Sequence, residues 1–561
     1  MKRPRIYLMF LALLAIPAML NLTSGRIFAA ADSTHYLTSN ESIPKAFIRR
    51  SGRQLVVGEN DQPVLLQGVC FGNKVWSKPA TPPWDHHNER DYERLQSWHM
   101  NAVRFYLNYQ LFEDDANPFI YKSSGWEWLD RNISWAKKNH IYLILNMHVP
   151  QGGYQSLGDG MGLWRDDKNK ERLLALWQAI AERYKDEPTI AAYDLLNEPI
   201  TPNSLDEWKD LANRLASAIR GVDRNHLLII ERLNGVKNQW PTYKQLNFFL
   251  INDSNTAYTF HFYAPIEYTH QNAPWTSFPP AGGYPDDNHV MAPDDATWYT
   301  AIFNNPKIKA GNSDWRYYEG SKYQATDPNL LVGKPALVAH TTGKTGVIFF
   351  DDFVIKEYDE NQHFLRDIAT VNIDTADHWN FWSRNGSGRL SLTNAEGHGD
   401  RHALRIAGTT DDANGSNNRY RFVVTPGHYY QISGWMKGVD IAANANCQLR
   451  IDFESSPSGG RVYSLDKAYL DSVLTQFAKF GEENNVPLYV GEFGLYKECF
   501  NNGKGGTEWV RDMIGLLKSH GLNFTYHAYH ETAFAIYRND TGLPDPNQAN
   551  DPLIEVFKNS L

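Results

Sequence analysis

Between Val64 and His530 the chain alternates short apolar runs with amphipathic stretches, and that alternation confines it to parallel α/β architectures. The strand-like runs cover 64–71, 102–107, 142–148, 191–196, 227–230, 257–262, 488–490 and 523–530. Helical patterns lie between most of them, at 89–100, 126–139, 170–185, 205–222, 465–484 and 508–520, and a last helix at 552–559 closes the chain. Eight such runs, apolar at successive positions as strands buried on both faces are, predict a (β/α)8 TIM barrel. The other architecture with this alternation is an open doubly wound sheet, but no glycine-rich phosphate fingerprint follows the first strand. Ahead of the barrel, 47–66 reads as a hairpin turning at Gly58-Glu59-Asn60-Asp61.

The alternation fails from about Asn272 to Ser464, where Gly, Asn, Asp and Thr cluster between short strand-like runs. Runs at 336–340, 347–350, 389–392, 403–406, 420–424, 429–436 and 448–453 predict an antiparallel β-sandwich of jelly-roll type, inserted after the sixth barrel strand. The expected domains are a signal peptide at 1–31, a first barrel part at 45–295, the inserted sandwich at 296–460 and a second barrel part at 461–561.

Lys2, Arg3 and Arg5 precede the apolar run Ile6 to Leu20, and Ala29-Ala30-Ala31 follows. That order reads as a secretory signal, too short and wrongly flanked to span a bilayer, with cleavage expected near Ala31 and an uncleaved anchor as the lesser alternative. A secreted product with no membrane association after cleavage is expected. The formal net charge of −9 is spread without basic runs, which argues against nucleic acid and anionic lipid as partners. Cys70, Cys447 and Cys499 lie far apart, and no Cys/His cluster has zinc-ligand spacing in the sequence, so stability must come from a large core. The 17 Trp, 30 Tyr and 27 Phe exceed what a core requires, and stacking on sugar faces is one use for such a surplus.

The run from Ile190 to Leu196 stops at Asn197-Glu198-Pro199. Pro199 removes a ladder donor and restricts its predecessor, so the fourth strand is expected to end with Glu198 at its C-terminal tip, the end at which barrels carry their chemistry. Pro487-Leu-Tyr-Val-Gly-Glu492-Phe-Gly494 sets Glu492 likewise on the seventh strand, with Gly491 and Gly494 leaving room for close backbone approach. A lone acid at a strand end is as readily a solvated loop residue. Two at one end of one barrel are what glycosidic cleavage uses, one as acid and one as base or nucleophile.

With these two acids the chain resembles glycoside hydrolase family 5. Arg104 lies in Asn101-Ala-Val-Arg-Phe, His148 ends Leu143-Ile-Leu-Asn-Met-His, Asn197-Glu198-Pro199 closes the fourth strand, His261 and Tyr263 form His-Phe-Tyr, and Glu492 lies in Gly-Glu-Phe-Gly. The resemblance covers the barrel and not the insert. It implies a retaining mechanism with Glu198 as acid/base and Glu492 as nucleophile. It also implies Asn197 at the sugar 2-hydroxyl, Tyr263 orienting Glu492, Arg104 keeping Glu492 ionised, and His148 and His261 lining the subsite of the attacked sugar. The family usually ends its eighth strand with a Trp platform; here His527 or Tyr529 stands in that neighbourhood. Trp164 and the loop 149–154 are expected to shape the same cleft, with Trp76 and Trp84 as further stacking candidates.

Within the insert, Thr345 to Ile355 resembles the closing strands of jelly-roll carbohydrate-binding modules, while Trp379 to Trp382 and Pro426 to Trp435 resemble their opening and middle strands. The closing part comes first, which suggests a circular permutation joining the old termini near 360–375 and opening new ends near Ser313 and Gly460. Trp379, Trp382 and Trp435 are either a stacking platform or buried, with burial expected for Trp435. Asp351-Asp352 is either part of a structural calcium site in the sandwich or a pair of acids in a solvated turn. The catalytic site itself needs no metal and no cofactor. The expected function is hydrolysis of a plant or microbial polysaccharide, first of all a β-1,4-glucan (an endoglucanase or cellulase). The alternatives are an exo-acting enzyme with the insert walling one end of the cleft, a mannan-, xylan- or other β-glycoside-specific hydrolase, and a non-catalytic carbohydrate-binding protein.

Overall fold

The structure, a computed structural model, describes residues 46–561 except 78–80, 157–159, 238–245, 277, 279, 281, 293–295, 300–304, 377–378 and 457–459. The expected signal peptide lies outside the described residues. Eight parallel strands close into a barrel: Gln67–Phe71, Ala102–Asn108, Tyr142–Val149, Ile190–Asp194, Leu227–Glu231, Thr256–Phe262, Leu488–Phe493 and Asn523–Tyr526. They pair in chain order, with the eighth beside the first, which is the (β/α)8 arrangement. Gly68 on the first strand is obligatory at its close crossing, because a Cβ there would stand 1.7 Å from Ala102 O.

The segment ahead of the barrel is a three-stranded antiparallel sheet, Ile48–Ser51, Gln54–Val57 and Gln62–Val64, rather than the expected hairpin. The second turn arises at Gly52, whose φ of +58° suits glycine and lets Ser51 pair with Gln54. Ile48, Leu55, Val57 and Val64 from this sheet pack on Ala102, Ala191, Ala192 and Ala257 at the N-terminal ends of the strands. The barrel is thereby plugged at the end opposite its cleft.

The helices around the barrel carry capping boxes at Asn88/Asp91 and Ser204/Glu207, each capping residue worth about 0.5–2 kcal/mol. Three fully buried tryptophans on helices do more than fill space. Trp177, Trp208 and Trp509 donate their indole N–H to the carbonyls of Leu195, Glu231 and Ala264, at 3.0, 2.7 and 3.2 Å. Each therefore pins a strand exit beside a residue of the cleft, and part of the tryptophan surplus serves the barrel rather than sugar stacking.

The insert leaves and re-enters the barrel between its sixth and seventh strands through a ribbon, Asp286–Met291 paired antiparallel with Tyr463–Leu465. Beyond the ribbon, two antiparallel sheets enclose a separate apolar core that includes Leu337, Ile348, Phe350, Leu404, Ile432 and Phe453. Strand Val347–Tyr358 is interior, with Phe350 opposite Leu404 on one side and Met436 on the other. Ile348 is thus not at a sheet edge, and its strand adjoins that of Leu404.

Trp379 is buried, Trp382 is 52% exposed, and Trp435 is only half-buried, with His398 stacked on it at 3.5 Å. The burial expected for Trp435 is thus only partial: its ring is packed by the His398 imidazole and, edge-on at 5.6 Å, by the cross-strand Tyr317. Asp351 is buried, and its two oxygens accept the backbone N–H groups of Asp352 and His398 at 2.9 and 2.7 Å.

Candidate active site

Arg104, on the second strand, is wholly buried and joins three strands at once. Its Nε donates to Asp194 Oδ2 at 2.8 Å, Nη1 to Glu492 Oε1 at 2.7 Å and Nη2 to Asn197 Oδ1 at 3.0 Å. Burial works against its charge, but Asp194, Tyr106 and Glu492 outweigh that and raise its pKa further. Glu492 accepts from Tyr106 OH at 2.6 Å on Oε1 and from Tyr263 OH at 2.8 Å on Oε2. Burial alone would raise Glu492; His261, His527 and Arg104 override it and hold the carboxyl well below the usual range. The result is an ionised carboxylate in a buried, fully hydrogen-bonded cradle.

Gly491 and Gly494 give Glu492 its position. A Cβ on Gly491 would stand 2.8 Å from Thr259 Oγ1, and one on Gly494 2.2 Å from His527 O. A register shift between Phe260 and His261, where the sixth strand pairs with the seventh, re-aims His261.

The fourth strand ends at Asp194, earlier than expected, and Glu198 stands on the loop beyond it. The chain there is steered by tertiary bonds: Asn197 N–H donates to Met147 O at 3.0 Å, Glu198 N–H to Glu231 Oε2 at 2.9 Å, and Asn234 N–H to Pro199 O at 2.8 Å. These hold Glu198 at a φ of +41°, a left-handed conformation costing of order 1–3 kcal/mol in a non-glycine residue.

His261 Nδ1 lies 2.8 Å from Glu198 Oε1 and 3.5 Å from Glu492 Oε2, so one imidazole nitrogen bridges the two carboxylates. Burial opposes a charge on His261, yet Glu231, Glu492 and Glu198 raise its pKa to about 9. Glu198 is correspondingly lowered: burial would raise it, and His261 outweighs that. The pair shares one proton, which rests on His261 in the free protein. Glu231, at the end of the fifth strand, is pushed up to about 8 by burial and sits 3.5 Å from His261 Nε2.

The cleft above these groups has a volume of about 720 Å³ and is lined by Trp76, Tyr154, Glu198, His261, Tyr263, Trp275, Glu492, His527 and Phe534, among others. Of the two residues suggested at the eighth strand, His527 lines it and Tyr529 does not. Tyr529 is buried, donates to Asp91 Oδ1 at 2.9 Å and packs on Phe71, because the chain leaves the sheet at Tyr526 and strand alternation no longer applies.

Trp164 is likewise removed from the cleft. It is buried, with Nε1 donating to Gln155 Oε1 at 2.8 Å, and is not among the residues lining the cleft it is expected to shape. His148 is buried behind the cleft wall, stacked on Tyr106 at 3.9 Å, with Nδ1 against Asn146 Oδ1 at 3.0 Å. It supports the wall rather than lining it. Trp84 lies under the Arg131 guanidinium at 4.6 Å and is not among the lining residues, whereas Trp76 is.

Tyr106, Asp194, Glu231 and Trp275 escaped the sequence reading. Tyr106 was findable, since it stands two residues beyond Arg104 on one strand and must face the same side.

A parallel barrel with two carboxylates, at the ends of strands four and seven, facing each other across one cleft is of the glycoside hydrolase class. The profile of the cellulase family, glycosyl hydrolase family 5, matches residues 57–314, which include the first six barrel strands and Glu198. Endoglucanase C of Acetivibrio thermocellus is 33% identical over 189 residues, which are 34% of this chain and 53% of that protein. A β-xylosidase of Phanerodontia chrysosporium is 30% identical over 200 residues, 33% of this chain and 39% of that protein. The chain thus spans about half the length or less of these curated relatives. Endoglucanase Cel5A of Thermotoga maritima aligns at a TM-score of 0.46 and 15% identity, covering 88% of this chain and 96% of that one.

Proposed function

We propose that the protein is a secreted retaining β-glycoside hydrolase acting on a β-1,4-glucan, an endoglucanase. The observation that carries the reading is the His261 bridge. With one nitrogen 2.8 and 3.5 Å from the two carboxylates, the two oxygens facing it stand no more than about 6.3 Å apart, a bound that admits the separation of a retaining pair. Retaining enzymes place the two groups roughly 5–5.5 Å apart and inverting ones roughly 6.5–9.5 Å, leaving room for a water. In this mechanism Glu492, ionised and held by Arg104, Tyr106 and Tyr263, attacks the anomeric carbon. Glu198 takes the shared proton from His261 and delivers it to the leaving oxygen, then accepts a proton from water in the second half. Two carboxyl groups suffice, so no cofactor enters.

Trp76 and Trp275, 38% and 49% exposed at the cleft, offer faces for sugar stacking, and the relatives named endoglucanase support a glucan. Among the described residues none of the sandwich lines the cleft, which weighs against an exo enzyme walled by the insert. The sandwich fits the proposal as a carbohydrate-binding module acting apart from the cleft.

The test is a product profile on cellulose, mixed-linkage glucan, glucomannan, mannan, xylan and aryl β-glycosides, with Glu492→Ala in parallel and the anomer of the first product read by NMR. Mixed oligosaccharides of retained configuration from a glucan, absent with the variant, are expected. A single small product would indicate exo action, inversion would remove the nucleophile role, and binding without hydrolysis would make the protein a carbohydrate-binding one.

A further inference from the structure

Three histidines outside the cleft chemistry converge from distant parts of the chain. His86 and His87 lie between the first barrel strand and the helix Glu89–Ser97, and His530 lies just beyond the eighth strand. One ligand-capable atom from each falls within 4.8 Å of the other two. All three are buried, at 2%, 6% and 1% exposure. Nδ1 of His86, both ring nitrogens of His87 and Nε2 of His530 have no hydrogen-bond partner among the described residues. Buried polar atoms are rarely left so, and four on three touching rings is a concentration that asks for a ligand.

Of the polar neighbours, Asn539 reaches His530 and favours its charged form, while its side chain is also committed to other partners. Asn539 turns its amide to the carbonyls of Thr541 and Leu543 and its oxygen to Asp545 N–H. Asp91 accepts from Tyr529 and Arg94 on Oδ1 and from Asn88 N–H on Oδ2.

We infer that His86, His87 and His530 form a binding site for one divalent transition-metal cation of the zinc, cobalt or nickel class. Imidazole nitrogen is the donor these ions favour. Ligands on one zinc stand about 3.4 Å apart, as Zn–N bonds of roughly 2.0–2.1 Å require, so the rings need close by only about an ångström or so. The surroundings suit the role. His530 Nδ1 faces His86 O at 3.3 Å, which leaves Nε2 as its ligand atom, and the Asp91 carboxylate stands 3.9 Å behind His87 Nδ1. A carbonyl or carboxylate behind the imidazole is the usual means of fixing a ligating ring.

The charge of Lys74 reaches all three rings and opposes the cation, so an affinity below that of a four-ligand structural site is expected. The bound ion ties the loop after strand one to the segment that also carries His527 and Glu531, both of which line the cleft.

The probe is Co²⁺ added to the full chain after dialysis against a chelator. One equivalent bound with a Kd in the micromolar range or tighter, a visible d–d absorption of nitrogen coordination and a rise of several degrees in melting temperature are expected. His87→Gln and His530→Gln, each checked for native circular dichroism in chelator, should lose the absorption and weaken binding at least tenfold. Absence of the absorption in the parent chain, or binding that both variants retain, would overturn the site. Because hydrolysis is not the readout, this result is independent of the proposed activity.

Discussion

Tyr106 places its phenolic oxygen 2.6 Å from Glu492 Oε1, the same carboxylate oxygen that Arg104 reaches at 2.7 Å. His527 Nδ1 stands 3.0 Å behind that phenol, so the hydroxyl accepts from the imidazolium while it donates to the carboxylate. Tyr106 therefore passes the influence of His527 to the nucleophile oxygen. Tyr106→Phe removes one hydrogen bond to a charged group, about 1.5–3 kcal/mol, which corresponds to a fall of roughly 10- to 150-fold in kcat. The acid limb of the kcat/KM profile should move to higher pH as Glu492 loses a stabilising donor. Steady-state kinetics across pH would check this, and an unchanged acid limb would show that the phenol merely packs.

Glu231 holds its proton to about pH 8 in the folded protein, against 4.5 for an ordinary glutamate. The unfolded chain releases that proton first, so folding stability falls as pH rises from 4.5 towards 8. Glu231→Gln keeps an acceptor for Glu198 N–H and removes the titration. Its melting temperature should decline less between pH 5 and 8 than that of the parent, as followed by calorimetry. Parallel curves would mean that Glu231 ionises normally.

His261 and His527 are both raised to about 9: burial opposes their charge, while Glu231 and Glu492 favour it at His261, and Glu492 and Glu531 at His527. Their contribution to stability is complete below the ordinary histidine value of 6.5 and is lost as pH rises through 9. Activity should fall over the same alkaline range, because the proton that Glu198 needs then leaves His261. A kcat/KM profile with its alkaline limb near pH 9 is expected. A limb near 7 would contradict the shared proton.

Arg104→Lys should be severe although the charge is kept. A lysine ammonium cannot reach Asp194, Asn197 and Glu492 together in the geometry of the guanidinium fork. Leaving a buried carboxylate unpaired costs about 3–5 kcal/mol. Urea unfolding should show a loss of that order, and a loss under about 1 kcal/mol would place the stabilisation elsewhere.

The barrel was legible because its strands are buried on both faces, and a run such as Leu143-Ile-Leu admits few other readings. Glu198 and Glu492 were legible because proline and glycines bracket them. What the sequence hid are residues whose role comes from contacts between strands. Asp194 reads as a lone acid in an apolar run until Arg104 is seen against it, and Glu231 reads as the end of a strand until Glu198 N–H is found on its carboxylate. Tyr529 misled for the opposite reason. It stands two residues from His527, in the neighbourhood of the family's Trp platform, but the strand ends at Tyr526 and the ring turns inward to Asp91.

The ribbon of Asp286–Met291 against Tyr463–Leu465 bears on how such a chain assembles. Barrel strands Thr256–Phe262 and Leu488–Phe493 are neighbours, yet the whole sandwich is threaded between them. Joining them from a random chain would close a very long loop. Once the sandwich has its own core, the paired ribbon brings both ends of that detour together, and the barrel then closes over a short effective loop. Folding of the insert ahead of barrel closure follows as the entropically favoured order, which would make the sandwich an assembly aid for the barrel as well as its appendage.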